Sequence, residues 1–364
     1  MASSRVMHAV QYDHYGGGAS ALKATLILTL FTAKEREAWG RKEKGARIVF
    51  MFLKHVEVPV PTPNNDEILL KLEASSLNPL DCKLQKGMWR PFIPHKFPAI
   101  PVSDISGEVV DVGAGVQNFK VGDKVVSMLS MFRGGGLAEY AVVTCDCTVK
   151  RPQEVSAAEG AALTMAGLTA LQALAEAGIK LDSSGSRRPK ANVLITAASG
   201  GVGHYAVQLA KLGNAHVTAT CGARNIDLIK SLGADEVLDY RTPEGELLRS
   251  PSGKKYDAVI HCARGIPWSV FEPNLSERGK VIDLTPDAAA LWTFVAKKLT
   301  FSKKSLVPLI VSRKGEDLEV LVQLAKEGKL RTLVDSTFPL EKAEEAWAKV
   351  MDAHATGKII VASE

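Results

Sequence analysis

Apolar positions along this chain fall into two textures. Over residues 1–155, short apolar runs are broken by turn residues: His8–Tyr12, Ile68–Leu72, Gly107–Val112, Asp123–Ser127 and Leu137–Val143 each read as a strand. Gly113-Ala-Gly115 and Val121-Gly-Asp123 supply turns between them. This pattern predicts a β-rich domain built around a partly open barrel. After about Glu154, amphipathic helical stretches alternate with β-branched runs at Asn192–Thr196, His216–Thr220, Ala234–Leu238, Asp257–His261 and Lys280–Asp283. The spacing is the rhythm of βαβ units in a parallel sheet. A closing strand, Gly357–Val361, is expected to rejoin the first domain. The fold expected is therefore α/β, with a β-rich domain over 1–155 completed by 306–364, and a doubly wound domain over 156–305.

The His8–Tyr12 strand, the Gly16-Gly-Gly18 turn and the His55–Val58 strand read as a hairpin, but residues 24–54 interrupt it. That segment runs from Leu26–Phe31 through a charged centre, Lys34–Arg47, to Ile48–Leu53. Three origins fit the pattern. It is an insertion tolerated at a loop tip, a membrane-surface anchor with interleaved basic and apolar residues, or the product of a retained intron. The stretch Asp182–Lys190 reads as a surface loop.

Composition narrows the function classes. Apolar residues make up 46% and charged residues 23% of the 364, and the formal charge is +5, too small to argue for nucleic-acid binding. The five cysteines lack the paired spacing of a disulfide framework, which favours a reducing compartment. No apolar run approaches the roughly 18–20 residues of a membrane span, and Met1–Arg5 lacks the apolar core of a secretory signal. The expectation is a protein that is not secreted and touches membranes at most peripherally.

The strongest chemical signal is a glycine turn. Strand Asn192–Thr196 leads directly into Ala197-Ala-Ser-Gly-Gly-Val-Gly203, and a helical pattern begins at His204. Glycines between strand and helix let the backbone approach a pyrophosphate at the helix N-terminus. Ser199, Gly200, Gly201, Val202 and Gly203 are thus candidate cofactor contacts. An NAD site wants a carboxylate at the end of the next strand, about 20 residues on. Here the chain reads Thr220-Cys-Gly-Ala-Arg224, where Arg224 can pair with a 2′-phosphate. NADPH is the cofactor expected, with Gly222, Ala223, Asn225, Lys230, Tyr240 and Cys262 as further contacts. His204 is expected to be structural.

Over nearly the whole chain apart from the insert, these residues resemble the medium-chain dehydrogenase/reductase superfamily. Ser76-Leu-Asn-Pro-Leu-Asp-Cys-Lys-Leu-Gln-Lys-Gly87, Asp104-Ile-Ser-Gly-Glu-Val109 and Ala197–Gly203 look like the quinone-oxidoreductase and enone-reductase branch, including plant chloroplast-envelope quinone oxidoreductase-like proteins. The resemblance implies a GroES-like catalytic domain, a Rossmann cofactor domain, a homodimer, and a cytoplasmic or chloroplast location. Zinc-dependent relatives carry a Cys in a C-x-x-D pattern and a His in G-H-E-x-x-G. This chain has Asn78-Pro-Leu-Asp81 and, with Ser103 in the His position, Val102–Gly107; the third ligand position falls near Ala161. No metal is therefore expected.

The activity implied is NADPH-dependent reduction of a quinone or of the C=C bond of a conjugated enone. In the family the 78–83 loop lies beside the nicotinamide. Asn78 is assigned to orienting cofactor or substrate, Lys83 to a phosphate or ribose contact, and Asp81 to fixing the loop. Trp89, Phe92, Trp268, Trp292 and Phe294 are candidates for an apolar pocket. No general acid stands out. The alternative reading is an NADPH-binding sensor or structural protein with little turnover.

Overall fold

The computed structural model describes residues 5–16, 53–88, 96–181 and 190–363. The insertion therefore lies outside the described residues up to residue 52, as do Trp89, Phe92 and the loop 182–189.

In chain order the strands are β1 (Val6–Gln11), β2 (Lys54–Pro59), β3 (Glu67–Leu77), β4 (Asp104–Val112), β5 (Lys124–Met128), β6 (Tyr140–Thr144) and β7 (Thr148–Lys150). Then come β8 (Asn192–Ile195), β9 (His216–Cys221), β10 (Glu236–Asp239), β11 (Tyr256–His261), β12 (Leu275–Asp283), β13 (Ser305–Pro308), β14 (Val334–Pro339) and β15 (Lys358–Ala362). The helices that matter below are α1 (Pro79–Gln85), α2 (Ala157–Ala162), α3 (Gly203–Leu212), α4 (Ile226–Ser231), α5 (Ala288–Leu299) and α6 (Ala343–Asp352).

The chain divides into two units. The first comprises 1–165, 314–322 and 334–364, and the second 166–313 and 323–333. In the first, β1 and β2 pair antiparallel with Val10 opposite His55, so the interrupted hairpin forms around the insertion. The main sheet runs β14-β15-β3-β4-β5-β7, with β6 also on β3. Strand β3 can serve three neighbours because its two halves diverge. Glu67–Lys71 pairs with β6, Ala74–Leu77 pairs with β15, and bulges at Leu69/Leu70 and Leu72/Ala74 bend the strand between them. Trp347 of α6 is buried among Tyr12, Leu77, Leu137 and Ile359. As the Gly357–Val361 pattern predicts, β15 closes this unit, antiparallel to β3.

The second unit is a six-stranded parallel sheet of order β10-β9-β8-β11-β12-β13. Val193, Leu194, Ile195, Val217, Ala219, Val259, Ile260, Val281 and Ile282 are all buried. These strands are covered on both faces, which is why they read as apolar runs without alternation.

The unit boundaries depart from 155/156 and 306 for local reasons. Ser156 and Glu159 form a reciprocal capping box that starts α2. A Cβ on Gly160 would lie 2.7 Å from Val126 Cγ2, so this helix packs tightly on the first unit's sheet. Ser305–Pro308 form β13, the last parallel strand, which keeps the chain in the second unit beyond 306. Residues 331–333 bond to α3: the Arg331 amide donates to Gln208 Oε1 at 2.8 Å and the Leu333 amide to His204 Nε2 at 3.2 Å.

Candidate active site

Ser199–Gly203, Gly222–Asn225, Tyr240 and Cys262 follow the carboxyl ends of four adjacent parallel strands, whereas Lys230 lies in the last turn of α4 and Lys83 in the first unit. After β8 the chain turns through Ala197, whose φ is +48°, and the Ala198 amide is anchored on Thr220 O of β9 at 2.8 Å. Strand order reverses at β8, with β9 on one side and β11 on the other, so this is the topological switch point where open α/β sheets bind ligands. A Cβ on Gly203 would sit 2.4 Å from Ala197 O, so a side chain there would force the turn away from the helix start. Ser199, Gly200, Gly201 and Val202 are half-exposed on this turn, ahead of the unpaired amides of α3.

The end of β9 continues as Gly222 and the 3-10 turn Ala223–Asn225. Arg224 is exposed and Asn225 buried. Tyr240, after β10, is drawn beside this turn: its amide donates to Cys221 O at 3.1 Å, and a Cβ on Gly222 would lie 3.5 Å from the ring. The guanidinium of Arg241, which the sequence reading passed over, lies 5.4 Å from the Tyr240 ring centroid. Lys230 is exposed in the last turn of α4.

Thr196 is a hub that sequence reasoning missed. Its Oγ1 accepts from the Cys262 amide at 3.0 Å and the Ala263 amide at 3.2 Å, and lies 3.0 Å from His261 Nδ1. With both lone pairs taken, the hydroxyl hydrogen goes to Nδ1, which must then be unprotonated. Burial pushes His261 down to about 4, in agreement with a neutral ring. Burial, with Asp283 nearby, raises the Cys262 thiol to about 12, so it stays protonated. His204 is fully engaged: Nε2 accepts from Leu333, so Nδ1 carries the proton and donates to Gly200 O at 2.9 Å. It braces the glycine turn from behind.

Asn78 and Asp81 occupy a polar cluster inside the first unit. Asn78 caps α1, and its amide donates to Asp81 Oδ2 at 2.7 Å, so Asp81 holds the loop. Asn78 Nδ2 donates to Asp104 Oδ2 at 2.8 Å, and Lys358 Nζ donates to Asn78 Oδ1 at 2.5 Å. Lys358 Nζ is 3.7 Å from Asp104 Oδ2. Asp104 also accepts from the Met165 amide at 3.3 Å, which a π-helical turn, Leu163–Gly167, brings into place. Two residues before Asp104, Val102 has φ +74°, a costly conformation for a β-branched residue. Lys83 is half-buried in the last turn of α1.

Two carboxylates and one ammonium thus share a site with almost no water. Burial, followed by the charge of Asp104, pushes Asp81 up to about 7. Burial also raises Asp104 and lowers Lys358, each restrained by the other's charge. Neither Asp104 nor Lys358 was singled out chemically from sequence. Lys358 gives no local signal, since it sits 280 residues from Asn78 in a strand otherwise made of apolar residues. Of the aromatic candidates, Trp268 and Phe294 pack on the second unit's core and Trp292 is 74% exposed, so these three do not form one pocket.

Comparison with known proteins gives a consistent picture. Residues 64–153 match the family model "Alcohol dehydrogenase GroES-like domain" and residues 232–361 match "Zinc-binding dehydrogenase". The chain is 63% identical to a chloroplast envelope quinone oxidoreductase homolog of Arabidopsis thaliana, with 99% of each chain covered. It is 59% identical to a chloroplastic quinone-oxidoreductase homolog of Spinacia oleracea, again over 99% of each. Among solved structures, the quinone oxidoreductase from Coxiella burnetii superposes with a TM-score of 0.79 at 28% identity, covering 99% of this chain and 100% of that one.

Proposed function

Because the chain belongs to the quinone oxidoreductase branch of the medium-chain dehydrogenase/reductase superfamily, we propose that it reduces quinones or the C=C bond of conjugated enones with NADPH and without zinc. An oxidoreductase using a nicotinamide cofactor is the family's activity; the choice of phosphate-bearing cofactor, substrate and metal independence is our reading. The observation that carries it is the pairing of a glycine turn at the sheet's switch point with Arg224, rather than a carboxylate, after the next strand.

NADPH, when bound, supplies the hydride. The turn Ser199–Gly203 and the start of α3 hold the pyrophosphate, Arg224 pairs with the 2′-phosphate, and Gly222, Ala223, Asn225 and Tyr240 shape the adenosine end. Lys230 and Lys83 add positive charge toward phosphate or ribose, and the Cys262 backbone, fixed by Thr196, borders the nicotinamide. Asn78 orients the reacting partner on a loop that Asp81 keeps rigid. A quinone or enone carries its own electron sink, so the protein needs positioning and hydrogen-bond donors rather than a Lewis acid.

The residues do not fit zinc. Asn78, Ser103 and Ala161 stand where ligands would be required, and the described residues contain no converging set of three or more His, Cys, Asp or Glu donors. A divalent cation drawn to Asp81 and Asp104 would also meet the Lys358 ammonium.

A chloroplast location follows from the relatives' names, and no helix among the described residues is long and apolar enough to cross a membrane. We further infer a homodimer through the β13 edge. That strand pairs with β12 alone, beside Leu299, Ile310 and a 92%-exposed Phe301. Sedimentation should give twice the chain mass, reverting to one chain in Phe301→Asp; a monomeric wild type would exclude this edge as an interface.

The test of function is NADPH oxidation by purified protein with a small quinone and with a conjugated enone. Turnover with either supports the reading. NADPH binding without consumption would favour a sensor.

A further inference from the structure

Lys358 has no part in the chemistry above, yet it is an ammonium only 3% exposed, on a strand whose other residues are apolar. Such a charge is kept at a cost, and it needs hydrogen-bond acceptors. Its acceptor is Asn78 Oδ1, at 2.5 Å, while Asn78 Nδ2 donates to Asp104 Oδ2 at 2.8 Å. The chemistry of the partners forces this orientation. An ammonium has nothing to accept with and a carboxylate nothing to donate, so a flipped amide would face NH2 to ammonium and carbonyl oxygen to carboxylate. One Nδ2 hydrogen is therefore committed to Asp104. The other is taken up within the cluster, by Ser76 O at 3.4 Å and by the Asp81 carboxyl.

We infer that Lys358 is a positioning residue: together with Asp104 it fixes the orientation of the Asn78 side-chain amide, and with it the 78–83 loop that the reductase reading assigns to the reactants. This rests on the reductase reading and names what keeps that site in register. The charged and titratable groups around Lys358 are Asp104 on β4, Asp81 on α1 and, beside Asp81, Tyr12 after β1. Removing the ammonium would leave the carboxylates uncompensated and raise the pH at which they ionise.

Three proteins decide it: wild type, Lys358→Met, and the double variant Lys358→Met/Asp104→Leu, in which the buried charges of the pair are replaced by apolar groups. In Lys358→Met, quinone-reductase kcat should fall about 100-fold, as expected for misplaced reacting groups, and the acid limb of its pH profile should move to higher pH. The double variant should regain the wild-type unfolding midpoint while kcat stays low. Wild-type kcat in the stable double variant, or an unshifted pH profile in Lys358→Met, would overturn the inference. Absence of turnover by the wild type would overturn the reductase reading and the inference with it.

Discussion

Each unit buries a polar network, the one behind the glycine turn built of uncharged groups and the one around Asn78 holding charged ones. In the second unit, Thr196, His261, His204 and Gln208 pair with one another and with backbone. In the first, Asp81, Asp104 and Lys358 meet around Asn78. A neutral network needs only its hydrogens placed, and it gives a turn of fixed shape. A charged one also has to balance charge, so its state depends on pH and on every member.

Removing one member of each network separates them most sharply. Asp104→Ala strands the Lys358 ammonium and should cost about 3–5 kcal/mol, read from the urea midpoint. A loss below about 1 kcal/mol would mean that water already compensates the cluster. Thr196→Val strands the Cys262 and Ala263 amides and should cost about 1–3 kcal/mol by the same measurement. Arg224→Ala should leave both networks intact and weaken NADPH about tenfold while leaving NADH unaffected, the value of a lost charge-assisted pair. Equal loss for both cofactors in a binding titration would remove Arg224 from the 2′-phosphate.

A pH dependence separates the two networks as well. Asp81 is raised from its usual range to about 7, so below that range its contribution to stability is fully present, and it is lost as pH rises toward and through 7. His261 is lowered to about 4, so its contribution is present above the usual histidine range and is lost as pH falls toward 4. The two run in opposite directions. Stability of wild type minus that of Asp81→Asn, followed from about pH 5 to about pH 8, cancels the histidine and should fall with rising pH. A flat difference would show that Asp81 titrates normally.

The same contrast governs what could be read from residues in order. The cradle is a local event, since strand, glycine turn and helix follow one another over about 20 residues, and parallel-sheet pairing then sets β8, β9, β10 and β11 side by side. Even there, Thr196 escaped notice because its bonds run to residues 65–67 positions away. The cluster brings together α1, β4, the π-helical turn and β15, and no periodicity links those segments. Asn78 and Asp81 were visible only through resemblance, and Lys358 not at all. Long-range antiparallel pairing of β3 with both β4 and β15 assembles it. The insertion shows the reverse case: the hairpin register between His8 and Glu57 is set by the strands themselves, whatever lies between them.

On the proposed function, hydrogen bonds and a buried ammonium stand where zinc-dependent dehydrogenases hold a metal. The direct measurement is the quinone-dependent rate of NADPH oxidation by protein exhaustively treated with chelator, compared with the same protein after zinc is added back. Turnover after chelation, with no gain from zinc, is the expected result. A rate that vanishes with the metal and returns with zinc would contradict it.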